Sequence, residues 1–186
     1  MSQSHIILVR HGEASAGWNM HPDPGLSVQG RGQAENSGKS LIHELSYYQL
    51  VSSPKKRAIE TMEIMNQGDK NSFKLDPRFI EIPSGNINAD KKKEWLVNIF
   101  TTPIEELPEA VKEWRNELIN WLKEAEGNFI VTTHFMVINA LVSHITSNNA
   151  ISYFHPNYAS RTEIFIRNGE LTQLILGDDK KTVINL

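Results

Sequence analysis

Two short apolar runs frame the chain. Residues 6–9 form an unbroken hydrophobic stretch that ends in Arg10-His11-Gly12, and residues 129–133 form a second that leads into His134. Runs of this length, without polar alternation, predict strands buried on both faces. Between and after them the spacing turns helical. Ser27 is placed as the N-cap of a helix reaching about residue 45, despite glycines at 30, 32 and 38. Ser53-Pro54 predicts another helix start, with a hydroxyl cap and proline at the first position. The clearest helix opens at Pro108. Its apolar positions Val111, Trp114, Leu118, Trp121 and Ala125 recur at spacings of three and four, and Gly127 closes it. An apolar helix follows His134 to about residue 146.

Weaker signals fill the rest. Short strands are predicted at residues 49–52 and 73–75, the latter with a possible continuation to residue 82, and two more flank Asn168-Gly169, a hairpin signal. Residues 12–26 form a polar loop rich in glycine and proline. Residues 83–102, with Ser84-Gly85-Asn86, three consecutive lysines from Lys91 to Lys93 and Trp95, read as an irregular insertion holding a short helix. Strands alternating with helices predict one α/β domain over residues 1–186. Its expected form is a three-layer α/β/α sandwich with a mostly parallel central sheet and an antiparallel edge. Ligands of such sheets sit beyond the carboxyl ends of the strands, where His11 and His134 both fall.

Composition narrows the class of function. With 186 residues, of which 39% are hydrophobic, the chain can bury a sizeable core. A net charge of −3 argues against a general nucleic-acid or membrane-surface binder, so any bound anion must be held by a few placed cations. The absence of cysteine excludes a disulfide framework, a thiolate metal site and a cysteine nucleophile. The first ten residues suggest neither a signal peptide nor a membrane span, and a cytoplasmic setting is expected.

Four pieces carry candidate chemistry. Arg10-His11-Gly12-Glu13 follows the first buried strand; alone, it fits equally a strand-end turn with a solvated arginine. Residues 26–34 are by themselves only a capped helix start. Residues 52–61 add Arg57, a cation one turn into a helix whose free N–H groups suit an anion, while Lys55 and Lys56 read as a solvated face. Thr132-Thr133-His134 lies at a strand-to-helix junction, where a helix N-terminus favours a neutral imidazole or a bound anion.

In this order and at these intervals, the four pieces resemble the histidine phosphatase superfamily, the phosphoglycerate mutase-like proteins, over most of the chain. The resemblance implies that fold, with His11 as the nucleophile accepting a phosphoryl group and Arg10, Arg57 and His134 lining a phosphate pocket. The family's proton donor is an acidic residue after the second helix. Residues 79–85 resemble that segment and nominate Glu81, with Asp76, Asp90 and Glu13 as substitutes. The implied chemistry needs no metal or other cofactor, and the sequence offers no His/Asp/Glu cluster at ligand spacing. Guanidinium forks match the equatorial phosphoryl oxygens, a neutral imidazole supplies the nucleophile, and a carboxylic acid protonates the leaving alcohol.

The chain departs from the family pattern in two places. Phe135 follows His134 where relatives often carry glycine. Trp18-Asn19 resembles a pair found in mutase relatives but lies two residues further from His11. Residues 82–87 contain neither the tyrosine nor the lysine of the mutases, which favours a phosphatase over a mutase. A non-catalytic phospho-ligand binding module on the same fold is the alternative from another class. The expected partner is a small phosphorylated substrate or a phosphoprotein, with no nucleic acid or membrane. Trp114 and Trp121 are expected to pack in the core, and Lys91 to Lys93 to be solvated. His21 and His155 sit in loops that could border the pocket.

Overall fold

The computed structural model describes residues 3–69 and 72–186. Six strands form one sheet: β1 (Gln3–Arg10), β2 (Gln49–Ser52), β3 (Phe73–Leu75), β4 (Phe129–Thr133), β5 (Arg161–Arg167) and β6 (Glu170–Ile175). Their order is β3-β2-β4-β1-β5-β6. The first four are mutually parallel, whereas β5 runs antiparallel to β1 and β6 antiparallel to β5. The mostly parallel α/β sheet with an antiparallel edge is therefore as the alternation of elements predicts. Asn168 and Gly169 take positive φ values of 53° and 80°, which turns the closing hairpin.

The two apolar runs occupy the centre of the sheet and feed both faces. Ile6, Leu8 and Val131 belong to one core layer, with residues of α4 (Lys92–Thr101), α5 (Glu109–Glu124) and α6 (Phe135–Ile145). Ile7, Val9 and Ile130 point the other way, toward Leu41 and toward Met62 and Met65 of α3 (Lys56–Met65). Alternate residues of a strand face opposite sides, so an apolar run without polar interruption is what a doubly covered strand requires. Trp114 and Trp121 do pack as core: the Trp121 ring meets Phe79 edge-on at 4.8 Å. No helix among the described residues is long and apolar enough to cross a membrane.

Four local expectations are corrected. The helix predicted from Ser27 to about residue 45 breaks at Leu41 into α1 (Val28–Ser40) and α2 (Ile42–Leu45), because Leu41 leaves helical geometry to bury its side chain completely. Ser53-Pro54 does not open α3. Ser53 continues the pairing of β2 through its N–H to the Thr132 carbonyl (3.0 Å), and the helix begins at Lys56 without a side-chain cap. A residue before proline avoids helical angles, which favours this extension. Strand β3 stops at Leu75 instead of reaching residue 82, since Asp76 caps a 3-10 turn over Pro77–Phe79. Residues 83–102 are less irregular than expected, because ten of them form α4, which buries Leu96 and Ile99.

Candidate active site

Adjacent parallel strands bring the two histidines together. The His11 N–H donates to the Thr133 carbonyl at 2.9 Å, one residue beyond the β1–β4 ladder, and the His11 and His134 rings lie 5.3 Å apart. Both are buried. The chain then leaves β1 pressed against the first turn of α1: a Cβ on Gly12 would stand 2.4 Å from the Gly30 carbonyl oxygen, and one on Gly30 2.1 Å from that of Glu13. Only a glycine pair permits this approach. Thr61 of α3 adds an anchor by accepting the Gly12 N–H at 3.1 Å.

The hydrogen bonds of His11 fix its tautomer. Arg57 Nε lies 3.2 Å from His11 Nε2 and can only donate, so Nε2 presents a lone pair. Its Nδ1 then carries the proton, donated to the Gly12 carbonyl at 2.7 Å. Burial, then the charges of Arg57 and Arg10, hold the His11 pKa well below the ordinary value, which keeps the ring neutral. His134 is held low in the same way, by burial first and then by Arg57. Its Nε2 lies 2.7 Å from Ser53 Oγ, and its Nδ1 is buried without a partner among the described residues.

The two arginines are buried and meet the last residues of the chain. Arg10 Nη1 donates to the Pro156 carbonyl at 2.8 Å and to Thr182 Oγ1, and its Nη2 donates to the Val183 carbonyl at 2.6 Å. Its guanidinium lies 4.3 Å from the Tyr158 ring centroid and 5.3 Å from that of Phe135. Phe135 thus packs against Arg10. Arg57 Nη2 donates to the Asn185 carbonyl at 3.0 Å, and its Nη1 lies 3.8 Å from Asp23. Desolvation lowers the Arg10 pKa to about 10, which leaves it charged at neutral pH. The helix-start N–H expected to suit an anion is occupied instead, since Lys56 N donates to Asp23 Oδ1 at 3.1 Å.

Glu81 follows the 3-10 turn, whose position the core sets. Trp114 Nε1 donates to the Ile80 carbonyl and Thr133 Oγ1 to the Phe79 carbonyl, both at 3.0 Å. The carboxyl is buried, with Oε1 accepting the N–H groups of Ile82 and Met136 at 3.0 Å each and Oε2 unpartnered among the described residues. Desolvation pushes its pKa up to about 7, against the opposing pull of Arg57 and Arg10. The substitute acids are committed elsewhere or remote from burial. Glu13 Oε1 accepts from Ser27 Oγ at 2.7 Å, Asp76 is clamped by Arg78 at 2.6 Å, and Asp90 is exposed.

A cleft of about 350 Å3 opens beside Glu81, lined by Trp18, Pro22, Lys55, Lys92 and Leu186 among others. Lys55 and Lys92, read from sequence as solvated, are half-buried here, while Lys56, Lys91 and Lys93 are exposed as expected. Trp18 is fixed as a wall by donating to the Ala89 carbonyl at 3.0 Å, whereas Asn19 is exposed. His21 accepts the Asp23 N–H, and His155 meets the Phe135 ring edge-on. A larger open groove of about 700 Å3 between α1 and the β5–β6 hairpin contains none of the predicted site residues. The sequence reading missed Ser53 as a partner of His134, Asp23 and Tyr158 as neighbours of the arginines, and residues 182–186 altogether.

Residues 6–179 match the family model described as histidine phosphatase superfamily (branch 1). Curated proteins gave no significant match. Among solved structures, Bacillus stearothermophilus YhfR superposes with a TM-score of 0.73 at 21% identity, covering 96% of this chain and 98% of that one. A phosphoserine phosphatase mutant from Entamoeba histolytica, in complex with phosphoserine, superposes at 0.65 with 22% identity and coverage of 92% and 96%. A phosphoglycerate mutase from Bacillus anthracis superposes at 0.69 with 18% identity and coverage of 94% and 93%. At these identities the superpositions establish the shared fold.

Proposed function

The chain belongs to the histidine phosphatase superfamily, and from that premise we propose that it is a metal-independent phosphatase that hydrolyses a phosphomonoester through a phosphohistidine on His11. The observation that carries this reading is the 3.2 Å contact from Arg57 Nε to His11 Nε2, which aims a lone pair and a permanent cation at one point. A phosphoryl group there meets Arg57, Arg10 and His134. Phosphoryl transfer rests on such positioning and on stabilisation of the equatorial oxygens.

In the first step the Nε2 lone pair forms a bond to phosphorus as the bond to the leaving oxygen breaks. Glu81, whose pKa raised to about 7 leaves a large share of the carboxyl protonated near neutral pH, gives its proton to that oxygen. In the second step the Glu81 carboxylate takes a proton from water, the water oxygen bonds to phosphorus, and the P–N electron pair returns to Nε2. Orthophosphate leaves and Glu81 is again protonated. As substrate enters, Arg57 Nε must release the His11 Nε2 lone pair, and the arginines must exchange the carbonyls of Val183 and Asn185, each donor turning to a phosphoryl oxygen. The phosphatase reading over a mutase is supported by residues 82–87, which carry neither tyrosine nor lysine.

The test is hydrolysis of a generic aryl phosphate with chelator present, comparing the wild type with His11→Ala and Glu81→Gln. Turnover that survives chelation, vanishes in the first variant and falls in the second supports the mechanism. Orthophosphate binding without turnover from acidic to neutral pH supports a non-catalytic phospho-ligand module instead.

A further inference from the structure

With Glu81 as proton donor, the cleft beside it receives the leaving alcohol of a phosphomonoester, since the donor has to reach the departing oxygen. Its charge is therefore informative about the substrate. Of the two lysine runs, Lys55-Lys56 and Lys91-Lys92-Lys93, only Lys55 and Lys92 line the cleft, and these are also the two that are half-buried. Among the described residues neither has a carboxylate within ion-pair distance, whereas Lys56, next to Lys55, reaches Glu60 at 4.0 Å. Lys55 is close enough to His134 to help hold that ring neutral.

Half-burying a lysine without a counter-ion costs free energy that a merely solvated face avoids. Two such lysines reach the same cleft from separate segments of the chain, one preceding α3 and one opening α4. The one acidic side chain lining the cleft is Glu81, whose carboxyl is held by the N–H groups of Ile82 and Met136. Trp18, pinned to Ala89, supplies a fixed apolar wall, and a volume of about 350 Å3 suits a small molecule.

We infer that the substrate is a small phosphomonoester whose leaving alcohol carries an anionic group of its own, a carboxylate or second phosphate, received by Lys55 and Lys92. The inference rests on the phosphatase reading and specifies its substrate class.

The test compares kcat/KM for phenyl phosphate, 3-carboxyphenyl phosphate and 3-phosphonophenyl phosphate, in the wild type and in Lys55→Gln/Lys92→Gln. The wild type should prefer at least one charged ester by about tenfold, the range of one or two charge-assisted contacts at a partly exposed site. The favoured ester identifies the anionic group. In the double variant the ratio should fall to near one, and in Lys92→Glu below one. Equal rates on all three esters, or a preference that survives the double substitution, would overturn the inference and leave the phosphatase reading standing. No turnover of any ester would overturn both.

Discussion

Arg57 donates its Nε hydrogen to His11 Nε2, and the same guanidinium holds the Asn185 carbonyl through Nη2. One residue thus sets the tautomer of the nucleophile and offers a second donor to an incoming oxygen. Lysine, with one compact charge, cannot do both. Arg57→Lys should lower kcat on an aryl phosphate about 10²–10³-fold, the usual loss for removing one preorganised donor, with the fold intact by circular dichroism. Retention of wild-type kcat would show that the fork geometry is unimportant.

Glu81 gives the reaction a basic limb. With its pKa pushed up to about 7, the protonated donor disappears above that pH, so kcat should decline there with unit slope. Glu81→Gln should remove the limb and cost about 10²–10⁴-fold in rate. Stability follows the same titration. The folded pKa lies above the ordinary 4.5, so the associated stability is fully present below 4.5 and is lost as pH rises through about 7. The loss is roughly 3 kcal/mol at most. Denaturant melts of the wild type and Glu81→Gln across this window check the sign.

Ser53 is the sole hydrogen-bond partner of the His134 ring among the described residues. Ser53→Ala should strand a buried ring nitrogen and destabilise the fold by about 1–3 kcal/mol, measured by chemical denaturation. Ser53→Thr keeps the hydroxyl and should recover most of that stability. Equal defects in the two variants would point to packing alone.

Gly30→Ala tests the contact between the His11 loop and α1. A Cβ would stand 2.1 Å from the Glu13 carbonyl oxygen, against backbone that cannot yield locally. The expected cost is about 1–3 kcal/mol in stability, together with weaker orthophosphate binding by calorimetry. Gly32→Ala, where a Cβ meets nothing within 4 Å, is the control and should be neutral or stabilising.

The carbonyls of Val183 and Asn185 occupy donors that phosphoryl oxygens also need. Saturating orthophosphate should therefore loosen residues 182–186 and speed tryptic cleavage after Lys180 and Lys181, both of them exposed. Unchanged cleavage would mean that phosphate and tail bind together.

What was legible in the sequence follows from the range of the interactions involved. β1, β4, α5 and α6 are specified by periodicity within each segment, and His11 and His134 could be placed because each directly follows a buried strand. Glu81 could be nominated from its segment, but its elevated pKa depends on Trp114 and Thr133 holding the preceding turn. Ser53 looks the same locally as a cap or as a partner of His134; pairing with Thr132, distant in sequence, decides between them. Which lysine of each run is half-buried depends on how the neighbouring helices pack. The tail binds through main-chain carbonyls, which any sequence possesses, so no residue pattern announces it.

The 2.9 Å bond from His11 N to the Thr133 carbonyl makes the spacing of the two histidines a property of the sheet and not of any loop. A strand cannot slide past its neighbour by a small amount: a one-residue slip of β1 would turn Ile6 and Leu8 out of the core layer they share with Val131 of β4. The reaction centre is therefore indexed in whole steps, like a gear that either engages or does not. Residues 16–22 and 84–91 lie outside the sheet and carry no such constraint. Insertions, deletions and substitutions there can retune what enters the cleft while the distance between the histidines stays fixed, so substrate choice and phosphoryl chemistry are free to diverge at different rates.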